Sequence, residues 1–366
     1  MRLICIFWLL AKFIGWKVWI KDRLFPVLPV ADWLNWPSLM HYILFVCSLG
    51  IIFFLIFKPL NKFFLVVLFF IEILSCAADQ NRWQPWEYQY LFTIFICIIN
   101  LNDHKKIVSC IAFVMAATYA YSGIGKLNES YLVMVWDNMF LKKIFKINEA
   151  AIGQNTIHYL GYATAVAEII FAAGLFFFKT KKAAAWGMIV MHLLILYAIG
   201  PLGINYNTVV WPWNILMIIL LYVVFIKNQS LQLNIGLLWQ GWNKIVLLCW
   251  GVLPALNYVD LWDSYLSSRL YSGELPQMVF CLKDAGEIEE LQPYLNKADT
   301  YNLCNGEAMV NLQTWAMREM NVPPYPEMRV YKKIETDWPN NHPGSTTRFV
   351  YFYPTGQKQV RKLENK

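Results

Sequence analysis

Four places in this chain set ionisable or amide side chains inside or beside apolar runs, where a charge is costly and its presence asks for a partner or a task. Glu72, Ser75 and Asp79 recur at i, i+3 and i+7, one face of a helix, and lead into Asp79-Gln-Asn-Arg-Trp-Gln-Pro-Trp86, which carries Arg82. Tyr119, Ser122 and Lys126 repeat that spacing in Tyr119-Ala-Tyr-Ser-Gly-Ile-Gly-Lys-Leu127. A lysine held among small residues and partly desolvated loses its proton more readily, and a neutral lysine is a competent base. His158, Glu168 and His192 follow, with Glu168 and His192 at similar depth, so the geometry allows a carboxylate–imidazole contact there. Two histidines so far apart without a third matched ligand make a poor metal site, and no metal is expected. The fourth place is the uncharged turn Gly200 to Asn207, bearing Asn205 and Asn207, followed by Trp211-Pro-Trp-Asn214. Each place has a purely structural alternative: a paired carboxylate that locks helices, a snorkelling lysine, a satisfied histidine, or interfacial tryptophans.

The elements that must position these groups are membrane helices. The 366 residues are 58% hydrophobic and 15% charged, against roughly 45–50% and 25% in ordinary soluble domains. Residues 1–260 hold 19 Lys/Arg and 11 Asp/Glu, while 261–366 hold 12 and 13. The first part reads as a membrane domain and the second as a soluble one. Apolar runs near 3–20, 38–57, 62–78, 86–101, 107–124, 158–178, 183–200, 208–226 and 244–260 approach the roughly 20 residues a bilayer requires. The first lacks a cleavage site and reads as a retained helix.

Lysines 58, 62, 105, 106, 179, 181, 182, 227 and 244 fall on one side, which the positive-inside rule makes cytoplasmic. The net charge of +7 is therefore a topology signal and not a nucleic-acid footprint. The expected fold class is an all-α polytopic bundle of about nine transmembrane helices, N-terminus cytoplasmic, with a small α+β extracytoplasmic domain over 261–366. Asp79, Arg82, Lys126, Asn205 and Asn207 then gather at the outer end, with Glu72, Glu168 and His192 deeper. Segment 136–147 reads as an amphipathic helix lying on the outer surface or packed on the bundle, and 231–243 as a weaker one inside.

In the tail, 276–282, 329–334 and 348–353 read as strands and 286–295 and 308–320 as helices. Cys281 and Cys304 pair if the tail faces an oxidising compartment. The other six cysteines (Cys5, Cys47, Cys76, Cys97, Cys110, Cys249) read as apolar packing residues.

The run Tyr121-Ser-Gly-Ile-Gly-Lys-Leu-Asn-Glu-Ser-Tyr131 resembles the lysine-bearing helix end of the horizontally transferred transmembrane (HTTM) domain of vitamin K-dependent gamma-carboxylases. His158, Glu168 and His192 are similar in order and spacing to that family's histidine, acidic and histidine positions, and the Asp79-to-Trp83 run occupies the place of its Asp/Asn/His segment. A broader likeness to DoxX- and MauE-type membrane redox proteins lies in the glycine-lysine helix end followed by an acidic helix. The resemblance implies a quinol-dependent enzyme at the outer face of the bacterial inner membrane, with Lys126 as the base that deprotonates a quinol such as menaquinol. Asp79, His192 and Glu168 are its companions, with Glu72, Tyr119, Ser122, Arg82, Asn205, Asn207 and Asn214 around a quinone- or lipid-sized cleft. The chain departs from the family in having Gly125 where a lysine pair begins, and Arg82-Trp83 where a histidine is expected.

A second reading, from another class, is a non-catalytic membrane scaffold for an extracytoplasmic secreted or redox protein. A transporter ranks third, since no inverted repeat or matched pair of broken helices is present.

Overall fold

The computed structural model describes residues 1–228, 233–284, 286–296, 298–299, 301–356 and 359–362; the first two residues of segment 231–243 lie outside them. All nine apolar runs are helical. In chain order the bundle comprises α1 (Arg2–Ile14), α2 (Ser38–Phe57), α3 (Lys62–Ala78), α4 (Pro85–Ile99), α5 (His104–Ile124), α6 (Leu132–Ile144), α7 (Asn155–Phe176), α8 (Lys181–Ile199), α9 (Val210–Lys227) and α10 (Asn243–Val259).

Among the described residues, five of these are long and apolar enough to cross a membrane: α2, α5, α7, α8 and α9. Their outward faces are apolar, with Phe53, Phe57, Ile170, Val190 and Leu193 all more than half exposed. The remaining runs fall short for local reasons. The first breaks at Gly15 and resumes as the single turn Trp16–Trp19. Helix α4 is 15 residues long and buried along almost its whole length, so it is a core strut enclosed by its neighbours. Helix α10 winds irregularly around Pro254, whose ring cannot take part in a regular helix interior. Segment 136–147 is matched by α6, an over-wide helix whose Leu132, Val133, Val135 and Leu141 pack inward.

The tail is a four-stranded antiparallel sheet, β1 (Gln277–Leu282), β2 (Ala308–Asn311), β3 (Arg348–Gly356) and β4 (Gln359–Lys362), in the order β2-β1-β3-β4. Two helices cover it, α11 (Leu312–Met320) and α12 (Met328–Asn341). Three expectations are corrected. Residues 329–334 form a helix, because Val330, Tyr331, Ile334 and Trp338 bury one helical face. Residues 308–320 divide at Asn311, which ends a strand and caps α11 through the Thr314 N–H. Residues 286–295 give only the tight turn Glu289–Tyr294, interrupted by Pro293. Cys281 and Cys304 are joined in a buried disulfide, and closing a loop of that length contributes about 3 kcal/mol on the chain-entropy account.

Tail and bundle share one core. Phe25, from the loop after α1, packs on Trp315 of α11, which meets Phe280 of β1 and Trp338 of α12. Gln84 donates to the Pro323 carbonyl at 3.0 Å, and the Tyr325 N–H to Asn81 Oδ1 at 3.2 Å. The connector is tied down at Ser264, whose N–H donates to Glu327 Oε1 at 2.8 Å.

Burial pushes the Glu327 carboxyl up to about 7 from an ordinary 4.5, with the Ser264 N–H opposing the rise and Asp263 adding to it. The folded protein thus holds a proton there that the unfolded chain has released, so the associated stability is complete below pH 4.5 and fades as pH rises through 7. The expected loss is about 3 kcal/mol across that interval. Thermal unfolding followed from pH 5 to pH 8 checks it: Glu327→Gln flattens the slope, and an unchanged slope in that variant defeats the assignment.

Candidate functional site

The site is built where α5 and α7 approach most closely. At Gly123 a Cβ would stand 2.8 Å from Ile169 Cγ1 and 3.0 Å from the Ala165 carbonyl oxygen, so only glycine permits this spacing. Just beyond, α5 ends in a tight turn in which the Lys126 N–H bonds the Gly123 carbonyl at 3.1 Å. Asn128 fastens the turn, its Nδ2 donating to the Gly125 and Ser272 carbonyls at 2.8 and 3.1 Å. The turn delivers Lys126 Nζ to Glu168 Oε2 of α7 at 2.6 Å.

Seven residues earlier in the chain, Tyr119 Oη lies 2.7 Å from His192 Nε2 of α8, and His192 Nδ1 lies 2.8 Å from Asn214 Oδ1 of α9. The Asn214 Nδ2 donates to the Val210 carbonyl at 2.8 Å. That bond turns the amide oxygen to the imidazole and so fixes the order of donors and acceptors.

These groups line a cavity of about 70 Å³, together with Ser122, Gln89, Trp213, Trp250 and Tyr271. Taking about 10–15 Å³ of such space per water, it has room for several waters. Gln89 is held by the Trp213 indole N–H at 2.6 Å. The buried indole N–H of Trp250 has no hydrogen-bond partner among the described residues. A second, apolar cleft of about 280 Å³ lies alongside, between α6, α7 and α8. Lys126, Glu168, Met191, Ile195 and Tyr271 line both.

The roof is the connector to the tail. Tyr271 reaches both spaces, and its hydroxyl accepts from Asn207 Nδ2 at 2.9 Å. Burial pushes the Tyr271 phenol well up, so it stays neutral. Ser268 and Tyr271 take φ of 59° and 58°, a conformation that side chains as large as tyrosine rarely adopt and that tends to mark sites under functional constraint. Gly125 lies beneath Arg269: a Cβ there would come 3.2 Å from Arg269 Cγ, so a lysine in that place would require the Arg269 side chain to shift.

The residues singled out by spacing fall into separate groups. Lys126, Glu168, Tyr119, Ser122, His192 and Asn214 share the small cavity, and Asn207 touches it through Tyr271. Glu168 stands level with Lys126 and pairs with it, not with His192, which corrects the expected depth order. Lys126 is ion-paired with Glu168, a partner its own short run does not name.

Glu72, Asp79, Arg82 and Asn205 line neither space. Glu72 accepts from Lys12 Nζ at 2.8 Å and from the Ser48 hydroxyl, with Glu87 at 3.7 Å from the same ammonium. Asp79 pairs with Arg23. Arg82 donates to the Val18, Trp19 and Ser75 carbonyls, the Ser75 hydroxyl and His41 Nδ1. Asn205 is exposed in its turn at φ 46°, its N–H on the Gly200 carbonyl. His158 sits between Asp137 Oδ2 at 2.7 Å and Glu129 Oε1 at 3.0 Å, pinning α6 to the start of α7.

Sequence reasoning missed Gln89, Trp213, Trp250 and Tyr271 as lining residues. The signal for Gln89 was present, since Glu87 and Gln89 are polar in a helix with hardly any exposed face. Tyr271 had none, because its position depends on a left-handed turn. No protein-family model, curated protein or solved structure matches this chain, and the chemistry of the site is read from its own residues.

Proposed function

We propose that this is a multi-pass protein of the bacterial inner membrane, with its tail periplasmic, that binds a quinone or quinol and acts on it at the Lys126–Glu168 pair. The observation that carries the reading is the meeting of two unlike spaces at that pair: a small chamber bordered by Tyr119, Ser122, His192 and Asn214, and a larger, almost wholly apolar cleft. Such a division suits an amphiphile whose polar head needs a few placed donors and whose chain needs only burial. The resemblance to the HTTM domain of gamma-carboxylases points to the same ligand class, and the charge asymmetry of the loops to the orientation.

Quenching of Trp213 and Trp250 fluorescence by a short-chain menaquinone tests this. Saturable quenching is expected, with Lys126→Ala about tenfold weaker, the equivalent of 1.4 kcal/mol. Menadione, which lacks the chain, should bind more weakly than its prenylated counterpart. Equal affinities of wild type and variant, with unchanged quinone-dependent turnover, would overturn the proposal.

A scaffold reading draws on one feature, an open groove of about 590 Å³ between the 21–35 loop and α12, lined by Lys21, Asp32, Lys333, Asp337, Trp338 and His342. Stoichiometric co-purification of a periplasmic protein, lost on disrupting that groove, would favour it.

A further inference from the structure

We infer that Tyr119 and His192 form a two-step proton relay that accepts the proton of a ligand hydroxyl, and that Lys126 is the fixed counter-charge for the resulting oxyanion, not the base. The inference rests on the reading that a ligand seated across the two joined spaces puts a hydroxyl into the small cavity. It follows from the direction of each hydrogen bond. Asn214 spends its N–H₂ on the Val210 carbonyl and presents oxygen to His192 Nδ1, so that nitrogen carries the hydrogen. Nε2 of the neutral ring is then an acceptor, and the group before it at 2.7 Å is the Tyr119 hydroxyl, which must donate. The phenol oxygen keeps its lone pairs for a donor in the cavity, and a ligand hydroxyl supplies one.

The transfer balances without any redox step. The ligand O–H breaks as an O–H forms on Tyr119, while the original tyrosine O–H breaks and an N–H forms at His192 Nε2. The ligand is left as an oxyanion, and the imidazolium donates from both nitrogens, to Tyr119 and to Asn214. Lys126 is already committed, its ammonium 2.6 Å from Glu168, and it keeps its charge while that carboxylate is ionised. Kept charged, it borders the cavity, as does Trp250, whose buried indole N–H has no partner among the described residues. Preorganised donors of this kind stabilise an oxyanion most where water is excluded.

4-Nitrophenol, whose phenolate absorbs visibly and whose neutral form does not, is the probe. Binding is measured by equilibrium dialysis and ionisation by the spectrum of the bound fraction, at a pH where the free compound is mostly neutral. The wild-type protein is expected to hold it as phenolate. Tyr119→Phe, which removes one oxygen, should cut the bound phenolate fraction at least about tenfold, one unit in apparent acidity. His192→Gln should do the same and stands in if the first variant does not fold. Lys126→Arg, in which the side chain cannot be deprotonated, should bind more weakly yet still hold phenolate.

Probe bound in its neutral form by the wild type overturns the relay and leaves the ligand reading intact. So does a phenolate band that survives Tyr119→Phe or His192→Gln, or one that vanishes in Lys126→Arg. Failure to bind at all overturns the ligand reading and the relay together.

Discussion

Replacing Lys12 by methionine is expected to lower the unfolding free energy by about 3–5 kcal/mol, the cost of leaving a buried charge without its partner. Lys12, Glu72 and Glu87 are all fully buried. The ammonium donates to Glu72 and lies 3.2 Å from the Trp19 ring centroid, while Glu87 accepts the Trp8 indole N–H at 2.7 Å. Without Lys12 two carboxyl groups face each other across a dry space. The companion experiment is the fully neutral variant Lys12→Met with Glu72→Gln and Glu87→Gln. Buried ion clusters exchanged whole for neutral groups often lose little, so this variant should recover most of the deficit. Denaturant unfolding in detergent decides it; a single substitution costing under about 1 kcal/mol would show that the cluster is not held as an ion pair.

Arg82→Lys is the second large effect, at about 3 kcal/mol. The guanidinium serves five acceptors at 2.8–3.0 Å from α3, the residues after α1, and His41 of α2. Lysine brings the same charge but only three donors on one nitrogen, and cannot match a planar fork. At least two buried acceptors are then stranded, each at roughly 1–3 kcal/mol. Because neighbouring Asn81 and Gln84 hold the tail at Tyr325 and Pro323, the substitution should also speed limited proteolysis between bundle and tail. Wild-type stability and digestion in the variant would show that the charge alone suffices.

These two positions show where sequence reasoning reaches and where it stops. The period of three and four placed Tyr119 and Ser122 on one face, a local property of the helix, and both line the cavity to which the turn after α5 brings Lys126. Partnership is not local. Lys12 meets Glu72 across 60 residues and Arg23 meets Asp79 across 56, and nothing in either short segment names the other. Glu72, Asp79 and Arg82 looked like members of the same site as Lys126 because their cost in an apolar setting is equal; only packing separates the groups that brace the bundle from those that border a space.

In the tail, Val330, Tyr331 and Ile334 fit a strand or a helix until Trp338 is added four residues on, and Pro339 concealed that the helix continues. The apolar runs were legible as helices throughout. Whether each was long enough depended on breaks at Gly15 and Pro254 and on the burial of α4.

The unbroken packing from Phe25 through Trp315 to Phe280 and Trp338 bears on how this protein can be taken apart. A cut near residue 260 looks like a boundary between modules by composition, yet each fragment would carry half of an aromatic seam as bare surface. The tail could not be exchanged for another domain without rebuilding the loop after α1, whose Phe25 packs on Trp315. Changes in the sheet would be felt at the bundle through Trp315 and Phe25.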